Sequence, residues 1–198
     1  MTPSSSVPIP PLTPPLLLRV GFEMEYECPR PTPMLLALNI HFSRASDLVQ
    51  PDQLRTTPPV PLSAYRDTFG NWCSRLVAPA GRFVITTTAL LRDTGLVDAP
   101  ASGVPQTPVE YLPESTLEFL LGSRYCETDH LSDFAWAQFG NGPTGGDRVQ
   151  AICDFVHHHI EFGYPYARRT RSALEAFNEK QGVCRDFAHL AIALCRCM

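Results

Sequence analysis

A β-rich stretch followed by a helical one is the architecture this sequence predicts, and three observations carry it. Between residues 16 and 28, Val20, Phe22, Met24 and Tyr26 alternate with Gly21, Glu23, Glu25 and Glu27. That period of two is the mark of a strand with one buried face. Further β-prone runs, separated by Pro, Gly and Asn breakers, follow to about residue 100. Beyond residue 110 apolar residues recur at three- and four-residue spacing, as on one face of a helix. The 198 residues are 44% hydrophobic, enough for one large domain or two small ones with a sizeable core.

The first fifteen residues, rich in proline, are expected to be a flexible tail. The β-rich region then spans 16–100. Its first strand, 16–28, ends at Pro29, Pro31 and Pro33. Residues 34–42 are almost wholly apolar and predict a strand buried on both faces, and the polar stretch 43–60 predicts a loop. Asp67 to Asn71 predicts a turn, with Gly70 and Asn71 as breakers. Residues 72–77 and 82–91 predict two strands joined by Ala78-Pro79-Ala80-Gly81 as a hairpin loop. Several short strands joined by turns suggest an antiparallel sandwich.

Residues 101–140 predict a linker with short helices: 113–121, opened by Pro113 and Glu114 and closed by Gly122, and 133–139. After the breaker 141–146, Asp147 is expected to cap a helix, with Gln150 as capping-box partner. Its apolar face would be Val149, Ile152, Cys153, Val156 and Ile160. Ser172 and Glu175 form a second capping box, opening a short helix with Leu174 and Phe177 inward. A last, nearly apolar helix runs from Cys184 to the end. On it Cys184, Ala188, Ala191 and Cys195 share one side, and such a helix belongs at the centre of its domain.

Composition excludes some functions. A net charge of −4 does not suit a nucleic-acid partner, which needs a basic face. No apolar stretch has the length of a membrane span, so no membrane partner is expected. Seven scattered cysteines without an export signal are expected to be reduced thiols of a cytoplasmic protein. No metal or other cofactor is expected. The run His157-His158-His159 cannot form one metal site, because adjacent helical side chains point about 100° apart, and Cys195 and Cys197 diverge likewise. The basic run Arg168-Arg169-Thr170-Arg171 is either a solvated loop or a binder of acidic substrate groups.

Cys184 is the candidate catalytic residue. A thiol in the first turn of a helix lies near the positive end of the helix dipole, where the nucleophilic thiolate is favoured. The plainer alternative is a small buried cysteine used for packing. A catalytic thiol also needs a base. His189 lies five residues on, about 140° around the helix from Cys184, the histidine triplet has no route to the thiol, and the sequence does not place His41 or His130.

The residues themselves add a resemblance. Gly182-Val183-Cys184-Arg185-Asp186-Phe187-Ala188-His189-Leu190, followed by Ala193-Leu194-Cys195-Arg196, resembles the nucleophile helix of the transglutaminase-like superfamily, whose bacterial members are described as cysteine proteases. The approach through Ile160-Glu161-Phe162 and Ser172 to Phe177 resembles it too, as does the β-rich region with its Asp67-x-Phe69-Gly70-Asn71 turn. The resemblance implies an α+β fold, with residues 141–198 as the first part of the catalytic core. It implies a Cys-His-Asp triad in which Cys184 is the nucleophile and the His and Asp lie on later strands, absent from these residues. It implies thioester-forming acyl transfer on amide bonds, with hydrolysis of a peptide or protein substrate first and transamidation second. A chain without its base would be inactive. It would also expose Phe187, Leu190 and Leu194, with poor solubility. The alternative is a non-catalytic β-sandwich binding or scaffold module that keeps the helix for packing.

Overall fold

The computed structural model describes residues 16–198, so the proline-rich stretch 1–15 lies outside the described residues. The fold is α+β, with antiparallel sheets in its first part and helices in its second. The described residues divide into two compact units, one ending at Val97 and the other running from Asp98 to Met198.

In the first unit, β1 (Leu16–Cys28) pairs antiparallel along its whole length with β7 (Gly81–Asp93), from Leu16 opposite Asp93 to Cys28 opposite Gly81. β3 (Leu48–Gln50) and β4 (Arg55–Thr57) also pair with β7. A second sheet has the order β2 (Thr32–Leu36), β6 (Trp72–Ala78), β5 (Ser63–Arg66), again antiparallel. Alternation along β7 buries Phe83, Ile85, Ala89 and Leu91. Phe83 and Ile85 join Cys28, Leu76 and Ala78 in one cluster, so both sheets contribute to the same core.

Three expectations for this unit need correction. Residues 78–81 are not a hairpin loop, because β6 and β7 pair with strands of different sheets and the connection is a corner between them. Gly81, at φ +94°, takes a backbone conformation that side chains disfavour and helps make the corner. The apolar run 34–42 is a strand only to Leu36. Beyond it Asn39 Nδ2 and the Ile40 N–H both donate to Asp52, at 2.8 Å and 2.6 Å, which draws the backbone out of the sheet. The stretch 43–60 holds two short strands as well as loop. The expected turn at 67–71 is present. The Asp67 carboxylate accepts the Phe69 and Asn71 N–H groups at 3.0 Å and 2.8 Å, and Gly70 has φ +82°.

The second unit contains α1 (Glu114–Leu117), α2 (Thr128–Phe139), α3 (Gly146–His159), α4 (Ala173–Glu179) and α5 (Cys184–Cys197). The first is a single turn extended by a 3₁₀ turn to Leu120. α5 packs against α2, α3 and α4 and is the central helix. Its Leu190, Ala193 and Leu194 are fully buried among Leu131, Ala135, Ile152, Val156 and Ala176. The expected exposure of Leu190 and Leu194 is therefore wrong, and Phe187 is half-buried against the same cluster. The exposed side of α5 carries Ala188 and Ile192 instead.

Asp147 does not cap α3. Gly145 holds the capping position, and the Asp147 carboxylate accepts the Gly103 N–H at 3.2 Å. The inward face of α3 is Ile152 and Val156, continued by Ile160, while Val149 and Cys153 are exposed. The capping box at α4 is formed. Ser172 Oγ accepts the Glu175 N–H at 3.3 Å, and Glu175 Oε2 accepts the Ser172 N–H at 3.0 Å. Ser172→Ala is expected to cost about 1 kcal/mol, read as a lowered urea midpoint. An unchanged midpoint would show that the cap adds nothing here. No helix among the described residues is long and apolar enough to cross a membrane.

Candidate active site around Cys184

Cys184 is the first residue of α5, and its thiol is exposed. Val183 precedes it in extended conformation, at φ −115° and ψ 176°. The N–H groups of Cys184 and Arg185, at the start of the helix, have no acceptor within it. They face the end of the helix where negative charge is stabilised.

Three local devices bring the chain to this point. Lys180 ends α4 in the left-handed conformation, at φ 56°, so the chain turns at once. Residues Gln181–Gly182 then form β9, which pairs parallel with β8 (Glu161–Phe162). Glu161 N–H donates to Lys180 O at 2.9 Å, and Gly163 N–H to Gly182 O at 3.0 Å. The third device is Asp186. Its Oδ2 accepts the Val183 N–H at 2.9 Å, reaching back from the first turn to the residue before the helix.

Asp186 has no exposed surface. A buried carboxylate needs partners, and it has them in Arg171 Nη1 at 3.1 Å and Arg185 Nη2 at 3.2 Å. Burial pushes the Asp186 carboxyl up. The Val183 N–H and the Arg185 and Arg171 guanidiniums outweigh that and hold it below the ordinary carboxylate value. Gly182 leaves the room. A Cβ there would lie 2.7 Å from both Cβ and Oδ2 of Asp186.

Arg171 is buried as well. It also donates to Tyr166 O and pairs with Glu179 Oε2, at 2.9 Å from Nη2. Arg168 pairs with Glu175 at 3.0 Å and Glu179 at 2.9 Å. Arg185 donates to Arg169 O at 2.9 Å and to Arg168 O. Most of the basic run is therefore engaged in holding the loop and α4 against the start of α5. Arg168 and Arg171 are ion-paired, and Arg169 is exposed.

None of the histidines hydrogen-bonds Cys184 among the described residues. His41 bonds Ser43 Oγ at 2.9 Å and Phe69 O at 3.2 Å. His130 lies beside Asp129. His158 contacts Asp154 O at 2.6 Å. His159 is stacked between Phe155 and Phe177 and contacts Phe177 O at 2.7 Å. His189 stacks on Tyr125, and burial pushes its pKa down, with Arg185 adding to the effect. Among the described residues no cluster of His, Cys, Asp and Glu is arranged to hold a metal ion. The other thiols on α5 differ from Cys184. Burial, with smaller contributions from Cys153 and Cys197, pushes Cys195 up to about 11, and Cys197 bonds Thr128 O at 3.4 Å.

Residues 133–198, the stretch that builds this site, match the family model described as transglutaminase-like superfamily. That stretch is a transglutaminase-like segment. It takes in α3, α4, α5 and most of α2. Among solved structures, one from Cytophaga hutchinsonii, named a "putative cysteine protease", superposes with a TM-score of 0.81 at 26% identity. The match covers 93% of this chain and 64% of that one, so the chain spans less than two thirds of that protein's length. Among curated proteins, none matches significantly.

Sequence reasoning placed Cys184 at the start of the last helix, where the structure has it, but missed Asp186 and Arg171 as the supports of that turn. A signal was present: an acidic residue three positions after the helix cap is half of a capping box.

Proposed function

We propose that this protein is a cysteine-dependent acyl-transfer enzyme acting on amide bonds, with Cys184 as its nucleophile. The carrying observation is an exposed thiol at the first turn of the central helix, over a buried carboxylate and guanidinium that hold that turn. The family and the name of the structural neighbour support the same reading.

In this reading the Cys184 thiol gives up its proton and its sulfur attacks an amide carbonyl. A C–S bond forms, and the carbonyl oxygen takes the negative charge. The unpartnered N–H groups of Cys184 and Arg185 are candidate donors to that oxygen. Collapse breaks the C–N bond, the amine leaves with a proton, and a thioester remains. Water then releases the carboxylic acid and restores the thiol, giving hydrolysis of a peptide or protein substrate. An amine in place of water gives transamidation. Since no histidine among the described residues bonds the thiol, the reading takes its base, and the acid that orients it, from outside residues 16–198.

The thioester is the test. Incubation of the intact protein with an activated acyl ester is expected to add one acyl mass to the peptide containing Cys184. Acylation confined to Cys153, the other exposed thiol, would overturn the assignment.

A further inference from the structure

At the start of α5, three guanidiniums and three carboxylates form one connected set. Arg168 joins Glu175 and Glu179, Arg171 joins Glu179 and Asp186, and Arg185 joins Asp186. Its formal charge is zero, three positive against three negative. Arg169, Lys180 and Glu161 lie outside it and are exposed. We propose that this set is a positioning device for Cys184, with Arg171 and Asp186 as its positioning residues: it fixes the turn that bears the thiol and keeps the charge around that turn balanced. The inference rests on reading Cys184 as the nucleophile.

Geometry carries the first half. Asp186 grips the backbone of Val183, the residue before the nucleophile, at 2.9 Å. Arg171 grips Asp186 and at the same time Tyr166 O and Glu179, so the 3₁₀ turn at Tyr164–Tyr166, α4 and the start of α5 meet at one buried guanidinium. Neither side chain is placed to touch a substrate, since Asp186 is fully buried and Arg171 nearly so.

Charge carries the second half. A carboxylate two residues past Cys184 would oppose a thiolate there, because like charges raise the cost of ionisation. An asparagine could accept the same Val183 N–H without that effect and without the cost of burying a charge. The charged residue is tolerable beside a nucleophile only because Arg171 and Arg185 cancel it. Removing one member should therefore move the thiol in a direction set by that member's sign. Loss of a guanidinium leaves net negative charge and hinders ionisation, and loss of a carboxylate does the reverse.

The experiment follows alkylation of Cys184 by iodoacetamide against pH in the intact protein, with the adduct located by peptide mass spectrometry. Arg171→Met is expected to raise the pH midpoint by about half a unit or more, slowing alkylation about threefold below it. Glu179→Gln, at a partly exposed position, is expected to lower the midpoint by a smaller amount. The double variant Arg171→Met with Asp186→Asn restores the charge balance and is expected to return the midpoint toward that of the wild type. A purely structural role predicts shifts of one sign, or none. Midpoints that do not move in Arg171→Met and Glu179→Gln, or that move the same way, overturn the proposal. Should Arg171→Met fail to fold, the sign of the Glu179→Gln shift decides. The nucleophile reading fails separately, if wild-type Cys184 reacts no faster at neutral pH than Cys153. Opposite shifts in the two variants would still establish the charge device.

Discussion

Cys184→Ala is expected to lower amide cleavage by the intact protein by about a thousandfold or more, with little change in stability. A thousandfold loss corresponds to about 4 kcal/mol of transition-state stabilisation. That is the scale expected when the atom forming the covalent bond is removed. Stability should stay within about 0.5 kcal/mol, because the thiol is exposed and the residue's place in α5 suits alanine. Steady-state rates with an amide substrate and a urea unfolding curve on the same sample check both halves. A rate within tenfold of wild type would remove Cys184 from the mechanism. It would return the protein to the alternative reading, a binding or scaffold module.

Arg171→Met is expected to show the opposite division, costing about 3–5 kcal/mol of stability at neutral pH. Breaking a buried ion pair on one side leaves the other charge buried and uncompensated. Here that charge is Asp186, which has no exposed surface. The pH dependence fixes the cause. In the wild type the folded Asp186 carboxyl lies below its ordinary value. Its contribution is therefore fully present above the unfolded value near 3.9 and is lost as pH falls through the lower folded value. In Arg171→Met burial is opposed only by Arg185 and the Val183 N–H, so the folded carboxyl rises. A group with a raised folded value is least harmful when protonated. The penalty should thus be largest near pH 7 and shrink toward pH 4. Urea unfolding of both proteins at the two pH values measures it. An equal penalty at both would show that Arg171 acts through packing rather than charge.

Several elements were legible from local signals, although the equally local Asp147–Gln150 pair misplaced the cap of α3. The alternation from Leu16 to Cys28 marked β1 to the residue, and the Ser172–Glu175 pair marked the start of α4. The Ala78-Pro79-Ala80-Gly81 junction of β6 and β7 announced a reversal but not its partner. β7 leaves β6 because β1 offers it thirteen residues of continuous pairing, a fact about residues more than fifty positions away. The same limit hid the support of the site. Asp186 on its own looks like one polar residue of an apolar helix. Its burial depends on Arg171, fifteen residues earlier in sequence and brought beside it by the turn out of α4. The place of Cys184 at the start of α5 was readable because helix position and composition define it, whereas its neighbours are defined by tertiary structure.

The placing of the seven free cysteines has a consequence for oxidative chemistry. Only Cys153 and Cys184 are exposed, and the other five are buried or partly so. Peroxide attacks accessible thiols first, converting them to sulfenic acid and then to higher oxides. At Cys153, on the solvent side of α3, such a change touches neither the core nor Cys184. At Cys184 it blocks the sulfur. Because the thiols in the interior react later, the proposed acyl transfer is expected to be lost to oxidation before the fold is, and a reductant that reaches sulfenic acid at Cys184 is expected to restore it.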